Sequence, residues 1–194
     1  MPDGNRTHPA AGEQHLVVVD MQRAFRQQGD WHVPRYDAAA GVIARLVGGG
    51  FTPIITRFVP DPAESGSWSA YYDRWQSMRL DPSDAVWEVE LPGIDVGAVT
   101  LDLPTFTKWG VELAGRIPAG DEIILTGVAT DCCILATALG AVDAGRYVTV
   151  VADACAGQSD RAHESTLGLL ELLSPMVTVT TSAELVARPQ PAAV

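Results

Sequence analysis

The chain has 194 residues, 47% of them hydrophobic, which is enough for one domain with a sizeable core. Its 13 basic and 24 acidic residues leave a formal charge of −11, which argues against nucleic acid and anionic membrane as partners. A small anionic substrate stays possible, because a single Arg or Lys can act inside a pocket. Three cysteines, adjacent at Cys132 and Cys133 and alone at Cys155, form neither a CxxC pair nor a disulfide framework. Reduced thiols in a cytoplasmic protein are expected.

In chain order, the opening MPDGNRTHPAAGEQH is polar and lacks the apolar stretch of a signal peptide. No run reaches the roughly 18 apolar residues of a membrane span. Strands are predicted at 16–20, 53–59, 97–101, 122–126, 147–151 and 176–179, short segments rich in Val and Ile. LVVVD, EIILTG and YVTVVAD are nearly continuous apolar runs, as buried parallel strands require. Helical spacing of apolar residues falls between them, in YDAAAGVIARLVGGG, CCILATALGAVDAG and RAHESTLGLLELL. This alternation predicts an α/β fold, a mainly parallel six-stranded sheet with helices on both faces. A single domain spans 1–194, its core over about 14–187, with a polar N-terminus and a loose tail, ARPQPAAV. The stretch from Pro60 to Asp95 breaks the rhythm. It carries Trp68, Tyr71, Tyr72, Trp75 and Trp87 and reads as an excursion over the sheet's carboxyl edge. Its aromatics line a pocket, meet a second subunit or form a small satellite core.

Candidate chemistry sits at strand ends, where ligands bind in open α/β sheets. Asp20 ends the first apolar run; it is a base or orienting carboxylate, or else a helix cap. Cys133 opens a helical pattern after GVATDC, where exposed amides and the helix dipole favour thiolate. By spacing alone, Cys132 is equally placed, although a small buried hydrophobe is the simpler fate of Cys132 and Cys155. Lys108 is a solvent-facing lysine by default, but beside a thiol it stabilises negative charge. Thr130 and Asp131 read first as helix caps. Asp153 is a second strand-end carboxylate, and His163 has no evident role as a base.

Taken in order, VVVDMQRAF at 17–25, FTKWG at 106–110, the long segment from Gly127 to Cys155, and His163 with TTSAEL at 180–185 resemble the isochorismatase-like cysteine hydrolases. That superfamily includes nicotinamidases and N-carbamoylsarcosine amidase. The resemblance implies a three-layer α/β/α (Rossmann-like) fold and a triad of Asp20 as base, Lys108 and Cys133 as nucleophile, with Cys132 in a variable position. It further implies a non-proline cis peptide at Val128–Ala129 and oxyanion-binding amides of Ala129 and Cys133. The activity implied is cleavage of a C–N bond in a small molecule through a thioester, by a homodimer or homotetramer. Alternatives are isochorismate-type vinyl ether hydrolysis and an inactive small-molecule binding protein of the same fold. Nicotinamidases bind a metal through an Asp-x-His pair and a later histidine. The matching stretch here, ITRFVPDPAESG, has no histidine, so neither metal nor cofactor is expected. Phe25, Arg57, Trp68, Tyr72 and Trp75 are the expected substrate contacts, with a surface ion pair as the alternative for Arg57.

Overall fold

Alternation along the first strand divides the core in two. In β1 (Gln14–Val19), Leu16 and Val18 join one hydrophobic layer while Val17 and Val19 join the other, and all four are fully buried. A strand buried on both faces needs cover on both sides. One layer holds α2 (Tyr36–Gly48), which contributes Ala39, Ala40, Ile43 and Leu46, and α7 (Ser182–Ala187), which contributes Leu185. The opposite layer holds α4 (Val111–Arg116), α5 (Leu135–Asp143) and α6 (Asp160–Glu171), through Leu113, Ala138, Ala141 and Leu170. The result is the three-layer α/β/α arrangement.

The computed structural model describes residues 12–94 and 100–188. The start of the polar N-terminus, residues 97–99 of the strand expected at 97–101, and most of the C-terminal tail lie outside these. The other strands are β2 (Pro53–Phe58), β3 (Leu101–Leu103), β4 (Glu122–Val128), β5 (Tyr147–Ala156) and β6 (Val177–Thr180). The sheet order is β3-β2-β1-β4-β5-β6, and every neighbouring pair is parallel. The chain builds outward from β1 to β3, then returns to place β4 on the other side of β1. The carboxyl ends of β1 and β4 therefore flank a topological switch point, where α/β sheets open a crevice.

β5 runs five residues beyond its expected end at Val151, past a register shift between Leu125 and Gly127 of its neighbour. The Pro60–Asp95 excursion carries α3 (Ser67–Arg74) and two short 3-10 turns at Gln76–Met78 and Ala85–Trp87. It packs into the main core instead of forming a separate one. Trp31 is the hub, with ring centroids 5.5–6.2 Å from Phe25, Phe58, Tyr71, Tyr72 and Trp87. Buried Gln22, in the short link before α1 (Arg23–Arg26), fastens the excursion. Its Nε2 donates to the Phe58 carbonyl at 2.9 Å and the Trp87 carbonyl at 2.6 Å, and its Oε1 accepts from the Phe58 amide at 2.8 Å. Among the described residues, no helix is long and apolar enough to cross a membrane.

Candidate active site

β1 ends by delivering Asp20 to the switch point. Asp20 has φ 52°, in the left-handed region that aspartate tolerates better than most residues. Its amide donates to the Thr56 carbonyl at 3.2 Å, and its Oδ1 accepts from the Thr56 hydroxyl at 2.8 Å. Neighbouring β2 thus fixes the carboxylate; Asp20 does not cap α1, whose N-cap is Gln22. Asp20 Oδ2 lies 2.9 Å from Lys108 Nζ, and both side chains are fully buried. No described donor is well aligned on Oδ2, so this is a charge contact that leaves the oxygen able to accept a proton. Lys108 Nζ donates to the Thr105 carbonyl at 2.8 Å and lies 5.0 Å from the Phe58 ring centroid. The Lys108 amide donates to Thr137 Oγ1 of α5 at 2.8 Å, so the loop after β3 is tied to the cysteine helix.

The thiol arrives from β4. Gly127 has φ 111°, and a Cβ there would lie 2.1 Å from the Val19 carbonyl oxygen. Only glycine lets the ends of β1 and β4 approach this closely. The Val128–Ala129 peptide is cis, and a π-helical turn at Thr130–Ile134 follows before α5 begins. Cys133, in that turn, is buried. Its surroundings reverse the expectation of a thiolate favoured by a helix N-terminus. Burial, first, and the Asp20 charge, second, push the Cys133 thiol well above its ordinary range; Lys108 pulls it down, and hydrogen bonding to Asp20 pushes it up again. One buried ammonium cannot neutralise two anions, which disfavours a thiolate beside the Asp20 carboxylate.

The other cysteines have different partners. Half-buried Cys132 directs Sγ at Asp131 Oδ2, 3.9 Å away, and is pushed up to about 11 by burial, then by Asp131. Cys155 donates to the Leu125 carbonyl at 3.7 Å, and burial raises it as well. Thr130 and Asp131 are not helix caps. Thr130 Oγ1 and His163 Nδ1 are hydrogen-bonded at 2.8 Å, and Asp131 Oδ1 accepts from the Gln158 amide at 2.9 Å. The first ties the cysteine turn to α6 and the second to the β5–α6 connection. Gly157 permits this contact, since a Cβ there would lie 2.6 Å from Asp131 Oδ1. His163 has its proton affinity lowered by burial and then by Arg35. Asp153 holds the start of α7, accepting from the Ser182 amide at 2.7 Å and hydroxyl at 2.6 Å.

A cavity of about 20 Å³ lies over the thiol, lined by Phe25, Trp31, Phe58, Tyr71, Phe106 and Gln158 together with Val33, Ala129, Cys132 and Cys133. Of the expected substrate contacts, Phe25 is here and four are not. Trp68 and Tyr72 line a separate groove of about 220 Å³ with Asp61, Glu64 and Pro104. Trp75 stacks under the Arg74 guanidinium, 4.9 Å from its ring centroid. Arg57 is paired with Asp102, its register partner on β3, through Nε at 2.8 Å and through Nη2. Trp31, Phe58, Tyr71, Phe106 and Gln158 line the cavity in their stead. An Arg57→Ala variant is therefore expected to label at Cys133 with iodoacetamide at the wild-type rate. Its pair is about a third exposed, at 29% and 39%, and its loss costs on the order of 1 kcal/mol or less, read as a thermal midpoint.

The residues do not fit a nicotinamidase-type metal centre. In ITRFVPDPAESG, Asp61 Oδ1 accepts from the Ala63 amide at 2.9 Å, and Glu64 pairs with Arg79 at 2.7 Å. One group with metal-ligand chemistry occurs among the described residues, Glu13, His15 and Asp121. It lies at the amino ends of β1 and β4, the opposite edge from Asp20, and His15 is already bonded to Asp121 at 2.7 Å.

Comparison with known proteins agrees with this fold. The model of the isochorismatase domain family matches residues 14–184. A nicotinamidase of Escherichia coli is 34% identical over 64 residues, 33% of this chain but only 30% of that protein. A cysteine hydrolase from Pseudomonas syringae superposes with a TM-score of 0.77 at 22% identity, covering 94% of each chain. N-carbamoylsarcosine amidase from Thermoplasma acidophilum superposes with a TM-score of 0.69 at 21% identity, covering 88% of this chain and 97% of its own. At such identities the two structures establish the shared fold.

Proposed function

The chain belongs to the isochorismatase family, and from that premise we propose that it hydrolyses the C–N bond of a small amide through a thioester on Cys133. The observation that carries this reading is the fully buried Asp20–Lys108 pair, 2.9 Å apart, with the Cys133 thiol buried in the same part of the site. A thiol held neutral beside a carboxylate needs its proton removed as it attacks, and Asp20 is the group able to take it.

The steps balance as follows. The Cys133 proton passes to Asp20 as sulfur bonds to the amide carbon. The carbonyl oxygen becomes an oxyanion, for which the amides of Ala129 and Cys133 are the candidate donors; such donors are worth about 10²–10³-fold each. Collapse breaks the C–N bond, and Asp20 returns the proton to the departing nitrogen. Water then attacks the thioester and gives a proton to Asp20. The acid leaves and sulfur recovers the proton. Lys108, 2.9 Å from Asp20, supplies the counter-charge to its carboxylate. In this reading the protein acts in the cytoplasm as a homodimer or homotetramer.

The test is an amide panel scored for ammonia or amine and for the matching acid, with the acyl-enzyme sought by mass spectrometry of the quenched protein. Cys133→Ala is expected to keep its circular dichroism and lose turnover by about 10⁴-fold or more, as removal of a nucleophile does. Cys132→Ala is expected to keep turnover. Full activity in Cys133→Ala, loss carried by Cys132→Ala alone, or pyruvate release from a carboxyvinyl ether in place of ammonia would sink the reading.

A further inference from the structure

We infer that the site takes a small uncharged amide with an apolar acyl group, a statement of substrate class that rests on the amidase reading above. The cavity over Cys133 has no charged side chain in its lining. Half of the lining residues are aromatic: Phe25, Trp31, Phe58, Tyr71 and Phe106. The polar groups that remain are uncharged: the Gln158 side-chain amide, the Tyr71 hydroxyl and the Trp31 indole N–H. The last is buried without a hydrogen-bond partner among the described residues. Tyr71 stays a neutral phenol, pushed up to about 12 by burial first and then by the neighbouring cysteines.

The cations that a carboxylate would need are committed elsewhere. Lys108 is fully buried and holds Asp20 and the Thr105 carbonyl. Arg57 holds Asp102. Arg74 is exposed, stacked on Trp75 and outside the lining. Asp131, which sits against Cys132 and the Gln158 amide, adds a negative charge that repels an anion. A carboxylate entering this cavity exchanges water for aromatic faces with no counter-charge, which is the costly case. A cationic substrate finds no carboxylate in the lining to pair with. Volume sets the other limit, since about 20 Å³ is space on the order of one water and favours a short acyl chain.

Alkylation of Cys133 reads this charge selection without requiring turnover. Iodoacetamide is itself a small uncharged carboxamide, and iodoacetate is its anionic counterpart of the same size. Rates for each reagent at the Cys133 peptide are measured by mass spectrometry in the folded protein and divided by the rates for the same peptide in the urea-unfolded chain. Salt at 1 M, where the Debye length is about 3 Å, removes the long-range effect of the −11 net charge. The iodoacetate-to-iodoacetamide ratio is expected to fall at least tenfold on folding. Arg74→Ala is expected to leave that ratio unchanged, and Phe106→Arg, which puts a cation in the wall, to raise it. An unchanged ratio, or protection of Cys133 from both reagents, overturns the inference.

A second arm separates this inference from the amidase reading. In the amide panel, butyramide and isobutyramide are compared with malonamate and succinamate. Hydrolysis of the neutral members with at least tenfold higher kcat/KM supports both readings. Equal hydrolysis of charged and neutral members overturns the substrate class and leaves the amidase intact. A tenfold alkylation preference with no ammonia from any amide overturns the amidase and leaves the pocket's charge selection standing.

Discussion

Asp20→Asn is expected to lower turnover by about 10²–10⁴-fold while making Cys133 react faster with iodoacetamide at neutral pH. The two effects have opposite signs because Asp20 plays two parts. As the proton acceptor it is needed for attack, and Asn cannot replace it. As an anion, and as a hydrogen-bond acceptor, it raises the thiol, second only to burial, whereas Lys108 lowers it. Asn removes the anion and leaves the ammonium, so the thiolate becomes the counter-ion of Lys108. The Cys133 proton is then lost at lower pH, and the thiolate fraction at pH 7 rises. Asn also tolerates the φ of 52° and can still accept from the Thr56 hydroxyl, so the local backbone is kept. Labelling rates across pH, resolved to the Cys133 peptide, give the midpoint in each protein. A midpoint that moves upward in Asp20→Asn, or slower labelling at every pH, would remove Asp20 from the role given to it. Wild-type Cys133 is expected to label slowly below the free-thiol range of roughly 8.5, since its midpoint lies above it.

Different signals account for what was legible in the sequence. LVVVD, EIILTG and YVTVVAD announced the central strands because a strand covered on both faces needs apolar residues at every position. The last half of β5, ADACA, has small residues and a carboxylate, so its five extra positions carried no strand signal. Short α4 and α7 are too brief to show a period, although Thr181 and Glu184 do form a capping box. The same distinction holds at the site. Asp20 and Cys133 lie at the two strand ends that fold topology brings together, and strand ends can be found from the pattern. Tyr71 and Tyr72 cannot be separated that way. Adjacent residues on a helix point about 100° apart, and nothing local tells which side of α3 meets the thiol. Arg57 failed for a related reason, because its partner Asp102 lies in a three-residue strand and depends on the β2–β3 register. The direction of the thiol shift was out of reach too. A helix-start position suggests thiolate, but full burial beside one carboxylate and one ammonium decides the opposite, and burial is a tertiary fact.

Lys108→Met is expected to cost about 3–5 kcal/mol of stability, the usual consequence of leaving a buried charge without its partner. Met matches the length and apolar bulk of the lysine stem, so the loss is not one of packing. What remains is Asp20, fully buried, with the Thr56 hydroxyl as its neutral donor and no cation at 2.9 Å. For a chain of 194 residues that loss lowers the thermal midpoint by on the order of 6–20 °C. The diagnostic comparison is the double variant Asp20→Asn/Lys108→Met. If the cost arises from an orphaned charge, removing both charges recovers most of the stability, to within about 1–2 kcal/mol of wild type, although turnover stays absent. If the cost arises from the Lys108 contacts with Thr105 or the Phe58 ring, the double variant remains as unstable as the single one. The first outcome means that the pair is maintained for chemistry at no gain in stability, as expected where ionisable groups are buried together at a reaction site. The second would make Lys108 a structural anchor of the loop after β3 and remove the electrostatic argument for its place in the proposed mechanism.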